Sequence, residues 1–285
     1  MKLTFLGTGA AEGVPAVFCD CETCQTVRKR GETEFHTRSQ FMIDDCLCID
    51  FPPDAYAHCL RFGTDYRKLR YLLVTHSHMD HFYAHDFILR GYKYAGSPLR
   101  SPLHIYGNAD VLRVFEESTR REIKEDVAAN IRLHLIEPFR SFALDDGTDG
   151  YTVTPLLANH GKINANLYLI EQGDKSYLHL TDTGRLPTQT VEFLQNRFSG
   201  RKKVSFVTFD CTFVFNEAGE TSRHMGLPDN RITQTLLEEK GICDGNTRYA
   251  ITHYSHNNVP LSENLRRAEQ EYGYIASFDG LSVEI

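Results

Sequence analysis

The strongest chemical signal in the sequence is a run of metal-ligating residue types at positions 76–81. An apolar segment of strand length, Tyr71–Val74, leads directly into His76, His78, Asp80 and His81. Residues two apart in an extended chain point the same way, so His76 and His78 can bind one ion. Asp80 and His81 follow where the chain is predicted to turn into a helix, and they can face a second point nearby. Imidazole and carboxylate ligands of this kind suit zinc, manganese or iron.

Three further ligand types each follow another segment of strand length. His160 comes after Thr152–Leu157, Asp182 after Tyr177–Leu180, and His253 after Arg248–Thr252. A polar loop that happens to be rich in histidine would not explain why partners recur at separate strand ends. Two divalent ions held by two aspartates and a hydroxide leave a net positive site, which favours an anionic substrate.

A second group of ligand types lies near the N-terminus. Cys19, Cys21 and Cys24 form a C-x-C-x2-C pattern, which is one ligand short of a closed tetrahedral zinc site. His256, close to His253, can supply the fourth. The alternative is that these are reduced core cysteines, a reading that fits the other five better: Cys46, Cys48, Cys59, Cys211 and Cys243.

Composition limits the classes of function. The chain has 285 residues, 41% hydrophobic and 24% charged, enough to bury a full core. A net charge of -7 and the lack of a run of like charges disfavour nucleic acid as a partner. No stretch reaches the ~18 apolar residues of a membrane span, and the opening residues do not resemble a secretory signal. We therefore expect a cytoplasmic protein without a membrane partner, whose eight cysteines stay reduced.

The elements that must position these residues follow from hydrophobic spacing. Besides the strands above, the sequence predicts strands at Leu3–Leu6, Phe41–Ile43, Leu47–Ile49, Asn166–Ile170 and Val204–Phe209. Helical spacing follows Pro187 and recurs from Leu261 to Tyr272, before Gly273. Strand pairs early and strand–helix alternation later indicate an α/β fold in which two sheets pack face to face with helices outside, a four-layer αββα sandwich. Without repeats or linkers, residues 1–285 are predicted to form one domain.

The motifs together resemble those of the metallo-β-lactamase fold superfamily, in its two-metal hydrolase branch. The resemblance comprises HxHxDH, a lone histidine, the T-D-T-G aspartate and a late T-H, and it extends from Leu6 to Gly280. It implies that His76, His78 and His160 hold one metal, that Asp80, His81 and His253 hold the other, and that Asp182 bridges them. Mn²⁺ or Zn²⁺ are the expected ions. The loop from Gly7 to Gly13 lacks nucleotide-binding spacing and is predicted to be a tight turn near the site.

A narrower resemblance comes from Gly13-Val14-Pro15, the cysteine pattern and T-H-x-S-H. These residues are similar to the family of phosphodiesterases that open phosphoribosyl 1,2-cyclic phosphate. The resemblance implies a structural Zn²⁺ on Cys19, Cys21, Cys24 and His256. It also implies a catalytic set of Asp80, Asp182 and a histidine between Asp182 and His253, where His224 is the only one. We therefore predict that His224 is the general acid, that Asp210 and Arg38–Ser39 support the site, and that the substrate is a small anionic phosphodiester.

Two other functions remain open at this stage. A relative of the tRNA 3′-end endonucleases would share the two-metal site but needs a basic arm, and no lysine-rich insertion is evident. A non-catalytic zinc protein resembling pyrroloquinoline quinone biosynthesis protein B would share the cysteine pattern, but the complete two-metal ligand set argues against it. The segment between His81 and His160 is longer than in the phosphodiesterase family, and its role is left open. A homodimer is allowed for.

Overall fold

The computed structural model describes residues 1–96, 101–144 and 150–285. Its strands form two seven-stranded mixed sheets. The first sheet has the spatial order β14 (Ser282–Glu284), β1 (Lys2–Gly7), β2 (Gln40–Ile43), β3 (Leu47–Ile49), β4 (Tyr71–Leu73), β5 (Leu103–Gly107) and β6 (Ile131–Leu135). The second has the order β13 (Ile275–Ala276), β12 (Arg248–Thr252), β11 (Phe206–Asp210), β10 (Lys175–Leu180), β9 (Asn166–Gln172), β8 (Tyr151–Leu157) and β7 (Phe142–Leu144).

Helices cover the outer faces of both sheets, except for the first helix, which packs against Val14 and Leu261. They are α1 (Glu22–Arg30), α2 (Ala55–Phe62), α3 (Ala109–Thr119), α4 (Glu125–Ala128), α5 (Thr188–Phe198), α6 (Leu227–Glu239) and α7 (Ser262–Tyr272). Leu194 of α5, Leu237 of α6 and Leu265 of α7 pack on the second sheet, whereas Ala55 of α2 and Val111 of α3 pack on the first.

Apolar side chains on both faces of the strands form the interfaces between the four layers. In β1, Phe5 packs between the two sheets while its neighbour Leu6 packs under the helices of the first sheet. In β10, Tyr177 lies between the sheets and Leu178 under the helices of the second. Because successive side chains of a strand point to opposite faces, each sheet buries both of its faces. The result is the four-layer αββα sandwich that the sequence predicts.

The predicted strands all overlap observed ones, and three boundaries differ by two residues: β9 ends at Gln172 rather than Ile170, β10 begins at Lys175 rather than Tyr177, and β11 begins at Phe206 rather than Val204. The helix expected at Asp80 and His81 is wrong: both residues lie in a turn, and the next helical segment is a 3-10 helix at Ala84–Arg90. The reason is a pair of backbone hydrogen bonds, from Phe51 N to His81 O and from Tyr83 N to Phe51 O, which holds this stretch against Phe51. Within the described ranges no helix is long and apolar enough to cross a membrane.

Candidate active site

Strand ends bring the predicted ligands together. His76 and His78 follow β4, His160 follows β8, and Asp182 and His253 follow β10 and β12. Strands β10, β11 and β12 are parallel neighbours, so their carboxyl ends meet at one edge of the second sheet. Side chains from chain segments more than 170 residues apart thereby reach a common centre.

Backbone strain marks the same strand ends. Asp50, Asp182 and His253 have φ values of 62°, 63° and 66°, in the left-handed region that residues other than glycine rarely adopt. Such conformations cost free energy and persist where the surrounding structure imposes them, often at functional sites. Here each one ends a strand and turns a polar side chain toward the centre.

The ligand atoms form two adjacent clusters. In the first, atoms of His76, His78, His160 and Asp182 lie within 4.8 Å of one another; in the second, atoms of Asp80, His81 and His253 do. The Oδ2 atom of Asp182 lies 3.2 Å from Nε2 of His76 and 3.1 Å from Nε2 of His81, between the two clusters. Every residue assigned to the two metals from the sequence is therefore in place, although its role as a ligand stays a prediction.

The nitrogen atoms of three histidines show that these clusters fit metal ions. The Nε2 atoms of His81, His160 and His253 are buried, and none makes a hydrogen bond within the described part of the chain, although His81 Nε2 lies 3.1 Å from Asp182 Oδ2. Buried polar atoms are normally paired, so three such atoms in one centre need another partner. Histidine nitrogens and carboxylate oxygens are ligands for divalent transition metals. The donor set is therefore the right one for the ions that the sequence predicts.

In His81 and His253, polar neighbours contact Nδ1, the ring nitrogen that is not the unpaired Nε2. Asp50 Oδ2 lies 2.6 Å from Nδ1 of His81 and Thr212 Oγ1 lies 2.9 Å from Nδ1 of His253. Asp50 is itself fixed by the Thr75 backbone N–H, which donates to Oδ1 over 2.7 Å. Such contacts orient a ligating imidazole and leave its other nitrogen for the metal. The sequence reasoning did not single out Asp50 or Thr212; the signal for Asp50 was an acid directly after the β3 strand.

Charge in the centre favours the ionised carboxylate of Asp182. Burial raises the pKa of Asp182, but the surrounding histidines, His253 first, outweigh burial and hold this pKa well below its usual range. Burial is the main cause that lowers the pKa of His160; His224 adds to it, and Asp182 opposes it. Metal binding requires an ionised aspartate, and the lowered pKa of Asp182 meets that requirement.

His224 lies beside the shared aspartate. Its Nδ1 atom is 3.0 Å from Asp182 Oδ1 and 2.9 Å from Asp210 Oδ2. Burial lowers the pKa of His224, but the charge of Asp210 and its contacts with Asp182 raise it to about 10 overall. Asp210 also accepts backbone N–H groups from Thr212 and Met225 at 3.0 and 3.1 Å, which fixes the loop that carries His224. His224 and Asp210 thus lie beside the predicted ligands, and their roles as general acid and supporting residue stay predictions.

A cavity of about 270 Å³ opens over the centre. Its walls include the ligands His78, Asp80, His160, Asp182 and His253, together with Ala10, Ala11, Glu12, Thr212, Arg223, His224, Ser255 and Asn257. The predicted turn after β1 supplies Ala10–Glu12. The start of this turn, at Gly7, packs against the backbone of residues 36–38. A Cβ atom at Gly7 would lie 2.0 Å from Arg38 O, so no larger residue fits there. Arg38 Nε donates to Ala11 O over 2.8 Å, so Arg38 contacts this wall, and its supporting role stays a prediction.

The cysteine cluster lies on the other side of that wall. Sulfur atoms of Cys19, Cys21 and Cys24 and a nitrogen of His256 lie within 4.8 Å of one another. The Nδ1 atom of His256 is 3.4 Å from Cys21 Sγ and 3.5 Å from Cys24 Sγ. Contacts with the Cys24 backbone and with His256 lower the pKa of the Cys21 thiol to about 6. Three thiols and one imidazole are a complete tetrahedral zinc set, so the residues fit the predicted structural Zn²⁺.

The histidines without predicted partners have structural contacts or lie outside the site. His36 lies 2.7 Å from Thr8 Oγ1 and His58 lies 2.6 Å from Gln40 Oε1, both buried. His104 and His134 pair with each other at 2.9 Å. His179 lies 2.8 Å from the hydroxyl of Tyr177, between the sheets.

Fold and site define a metal-binding hydrolase of the metallo-β-lactamase fold. Residues 48–238 match the family model described as a β-lactamase superfamily domain. The chain belongs to this superfamily, as its motifs indicate.

Solved structures with the same fold include a diphosphatase, PqqB and a tRNase Z. A diphosphatase from the PhnP family has a TM-score of 0.71 and 22% identity, over 100% of this chain and 97% of that one. Zn²⁺-bound PqqB from Methylobacterium extorquens has a TM-score of 0.72 and 18% identity, over 100% of both chains. The short form of human tRNase Z has a TM-score of 0.66 and 16% identity, over 100% of this chain and 99% of that one. At these identities the similarity is one of fold.

One curated protein is also similar in sequence to this chain. The chain is 27% identical over 276 residues to an octanoyltransferase of Porphyromonas gingivalis. The match covers 92% of this chain but 47% of the relative, so the chain spans about half the length of that protein.

Proposed function

We propose that this chain is a two-metal phosphodiesterase that hydrolyses a small anionic phosphodiester, with a cyclic ribose phosphate as the first candidate. The observation that carries the proposal is the position of His224. Its Nδ1 is hydrogen-bonded to Asp210 Oδ2 over 2.9 Å and lies 3.0 Å from Asp182 Oδ1, so its Nε2 is left for the cavity over the two ligand clusters. A phosphodiester needs both an activated water and a proton for the departing oxygen, and this arrangement provides a residue for the second task.

Different residues of the chain would bind the metals and donate the proton. When bound, two divalent ions supply Lewis acidity that polarises a phosphodiester and activates water. His76, His78 and His160 would hold one ion, Asp80, His81 and His253 the other, and Asp182 both. His224 holds a proton, because Asp210 and Asp182 raise its pKa, and its Nε2 can donate that proton to the leaving oxygen. Asp210 is not among the residues that would hold the ions, and it is the hydrogen-bond partner of the imidazole.

Cavity size and charge support a small monoanionic substrate. The cavity of about 270 Å³ lies below the usual ~300–1,000 Å³ of drug-sized ligand sites. The net charge of the chain is -7, which opposes the long polyanion that an RNA-processing enzyme must bind. A five-membered cyclic ribose phosphate is compact and carries a single negative charge. The eight free cysteines support a reducing, cytoplasmic setting for this activity.

A substrate panel tests the proposal. The purified chain is freed of metal, reloaded with Mn²⁺ or Zn²⁺, and assayed on bis(p-nitrophenyl) phosphate, ribose 1,2-cyclic phosphate and a precursor tRNA with a 3′ trailer. We expect metal-dependent hydrolysis of the first two and none of the RNA. Cleavage of the tRNA would favour an endonuclease. A single tightly held zinc per chain with no hydrolysis would favour a non-catalytic protein of the PqqB kind.

A further inference from the structure

Glu12 is an unexpected residue in a cavity built for an anion. It lies in the wall Ala10–Glu12, and its side chain is 33% exposed. The cavity has one permanently cationic lining residue among those described, Arg223. A carboxylate placed beside the site of a phosphodiester repels it unless the substrate brings something for that carboxylate to bind.

The structure holds this carboxylate by one oxygen. Ser255 Oγ donates to Glu12 Oε1 over 2.6 Å, and His256 Nε2 lies 3.8 Å from the same oxygen. His256 uses its other nitrogen toward the thiols of Cys21 and Cys24. Ser255 and His256, which lie in the loop after His253, therefore fix one oxygen of Glu12. This limits the positions that the second oxygen can take.

The second oxygen remains available. Within the described part of the chain, Oε2 of Glu12 accepts no hydrogen bond from protein. An ionised carboxylate oxygen is an acceptor only, so it selects for a donor and against an anion. Hydroxyl groups are the donors that a phosphodiester of a sugar carries, and a hydrogen bond to a charged group is stronger than one between neutral groups.

We propose that Glu12 is a specificity-determining residue that accepts a hydrogen bond from a free hydroxyl of the substrate. The inference rests on the proposed phosphodiesterase function and narrows it to hydroxylated esters. The same charge excludes a second phosphate from that position, which separates a small sugar phosphodiester from an oligonucleotide.

Two cyclic phosphodiesters with the same reacting ring provide the test. Ribose 1,2-cyclic phosphate carries free hydroxyls, whereas ethylene cyclic phosphate carries none. The variant Glu12→Gln keeps an amide oxygen for Ser255 but replaces the charged Oε2 with an NH₂ group, so at most a weaker hydrogen bond between neutral groups, donated to the hydroxyl, can remain. We expect it to raise the KM for the ribose ester roughly tenfold while changing the KM for the ethylene ester less than about twofold. Glu117→Ala, on the exposed face of α3, controls for the loss of one negative charge.

The remaining outcomes separate the two proposals. Equal changes of KM on both esters, or a wild-type enzyme that does not prefer the ribose ester, overturn the role of Glu12 and leave phosphodiester hydrolysis intact. Loss of zinc from the Glu12→Gln variant shows that Glu12 serves the cysteine cluster instead and also overturns it. No hydrolysis of either ester by the metal-loaded wild type refutes the proposed function together with the inference.

Discussion

The Nδ1 atom of His224 lies 2.9 Å from Oδ2 of Asp210, and the other oxygen of this carboxylate accepts the backbone N–H of Met225 over 3.1 Å. One buried aspartate thus fixes both the imidazole ring and the loop behind it. Asp210 ends β11, between the strands that deliver Asp182 and His253. The ring is therefore positioned relative to the metal ligands by the sheet itself.

Replacing His224 should separate proton donation from metal binding. His224→Ala removes the donor but none of the residues assigned to the two ions, so metal content should stay at the wild-type level. General acid catalysis contributes ~10²–10⁴-fold, and the need for it grows with the basicity of the leaving oxygen. We expect kcat to fall far more on ribose 1,2-cyclic phosphate than on bis(p-nitrophenyl) phosphate, in steady-state assays on both. Equal losses on the two substrates would assign His224 to binding or structure.

Asp182 is the residue on which both ligand clusters depend. Its Oδ2 lies within 3.2 Å of a histidine nitrogen from each cluster. Asp182→Ala should lower the metal content of the active site and reduce hydrolysis of bis(p-nitrophenyl) phosphate by more than ~10²-fold, since even residues behind the ligands change metal affinity by 10–100-fold. Metal analysis after gel filtration measures the first effect. A variant that keeps both ions and full activity would refute the two-metal assignment.

The sequence predicts the layers and the ligands because both depend on local patterns. Alternating residues such as Phe5 and Leu6 must face different layers, which defines a strand before any partner is known. The ligands stand directly after such strands, as His76 follows β4 and His253 follows β12. Chemistry-bearing residues at strand ends therefore could be grouped without coordinates.

The supporting residues could not be predicted, because their role arises from contacts between distant segments. Asp279 accepts the hydroxyls of Thr8 and Thr37 at 2.7 and 2.6 Å, and so ties the C-terminal turn to the two segments behind the cavity wall. Glu12 and Ser255 are 243 residues apart. Helices α2, α3 and α6 were not predicted either, although Val111, Phe115 and Thr119 of α3 have helical spacing.

The cysteine cluster should stabilise the fold through its metal. Cys21→Ser removes one of four ligands, and a closed zinc site contributes directly to folding free energy. We expect loss of the structural zinc and a fall in melting temperature of more than roughly 5 °C, measured by metal analysis and thermal denaturation. Cys59→Ser, a half-buried thiol of α2 outside any cluster, is the matched control and should change neither value much. Similar behaviour of the two variants would mean that Cys21 is an ordinary packed cysteine.

His58 should make stability depend on pH. It is buried, with Nδ1 2.6 Å from Gln40 Oε1 and Nε2 2.7 Å from Thr37 Oγ1. Burial lowers its pKa from 6.5 to about 4, although Asp279 and Asp54 oppose this and Arg61 adds to it. The unfolded chain therefore binds a proton between pH 6.5 and 4 that the folded chain does not. Stability from the neutral ring is fully present above pH 6.5 and is lost as the pH falls toward 4.

His58→Gln keeps polar atoms near Thr37 and Gln40 but cannot titrate, so it isolates this contribution from that of the other histidines. Urea unfolding of both proteins at pH 7.5 and pH 5 gives four free energies. A folded pKa of about 4 makes the loss between these pH values about 2 kcal/mol larger in the wild type than in the variant. The variant will be less stable than the wild type at pH 7.5, because it packs the site less well, and the gap should narrow at pH 5. Parallel pH dependence in the two proteins would show that His58 is protonated in the folded state as readily as in the unfolded chain.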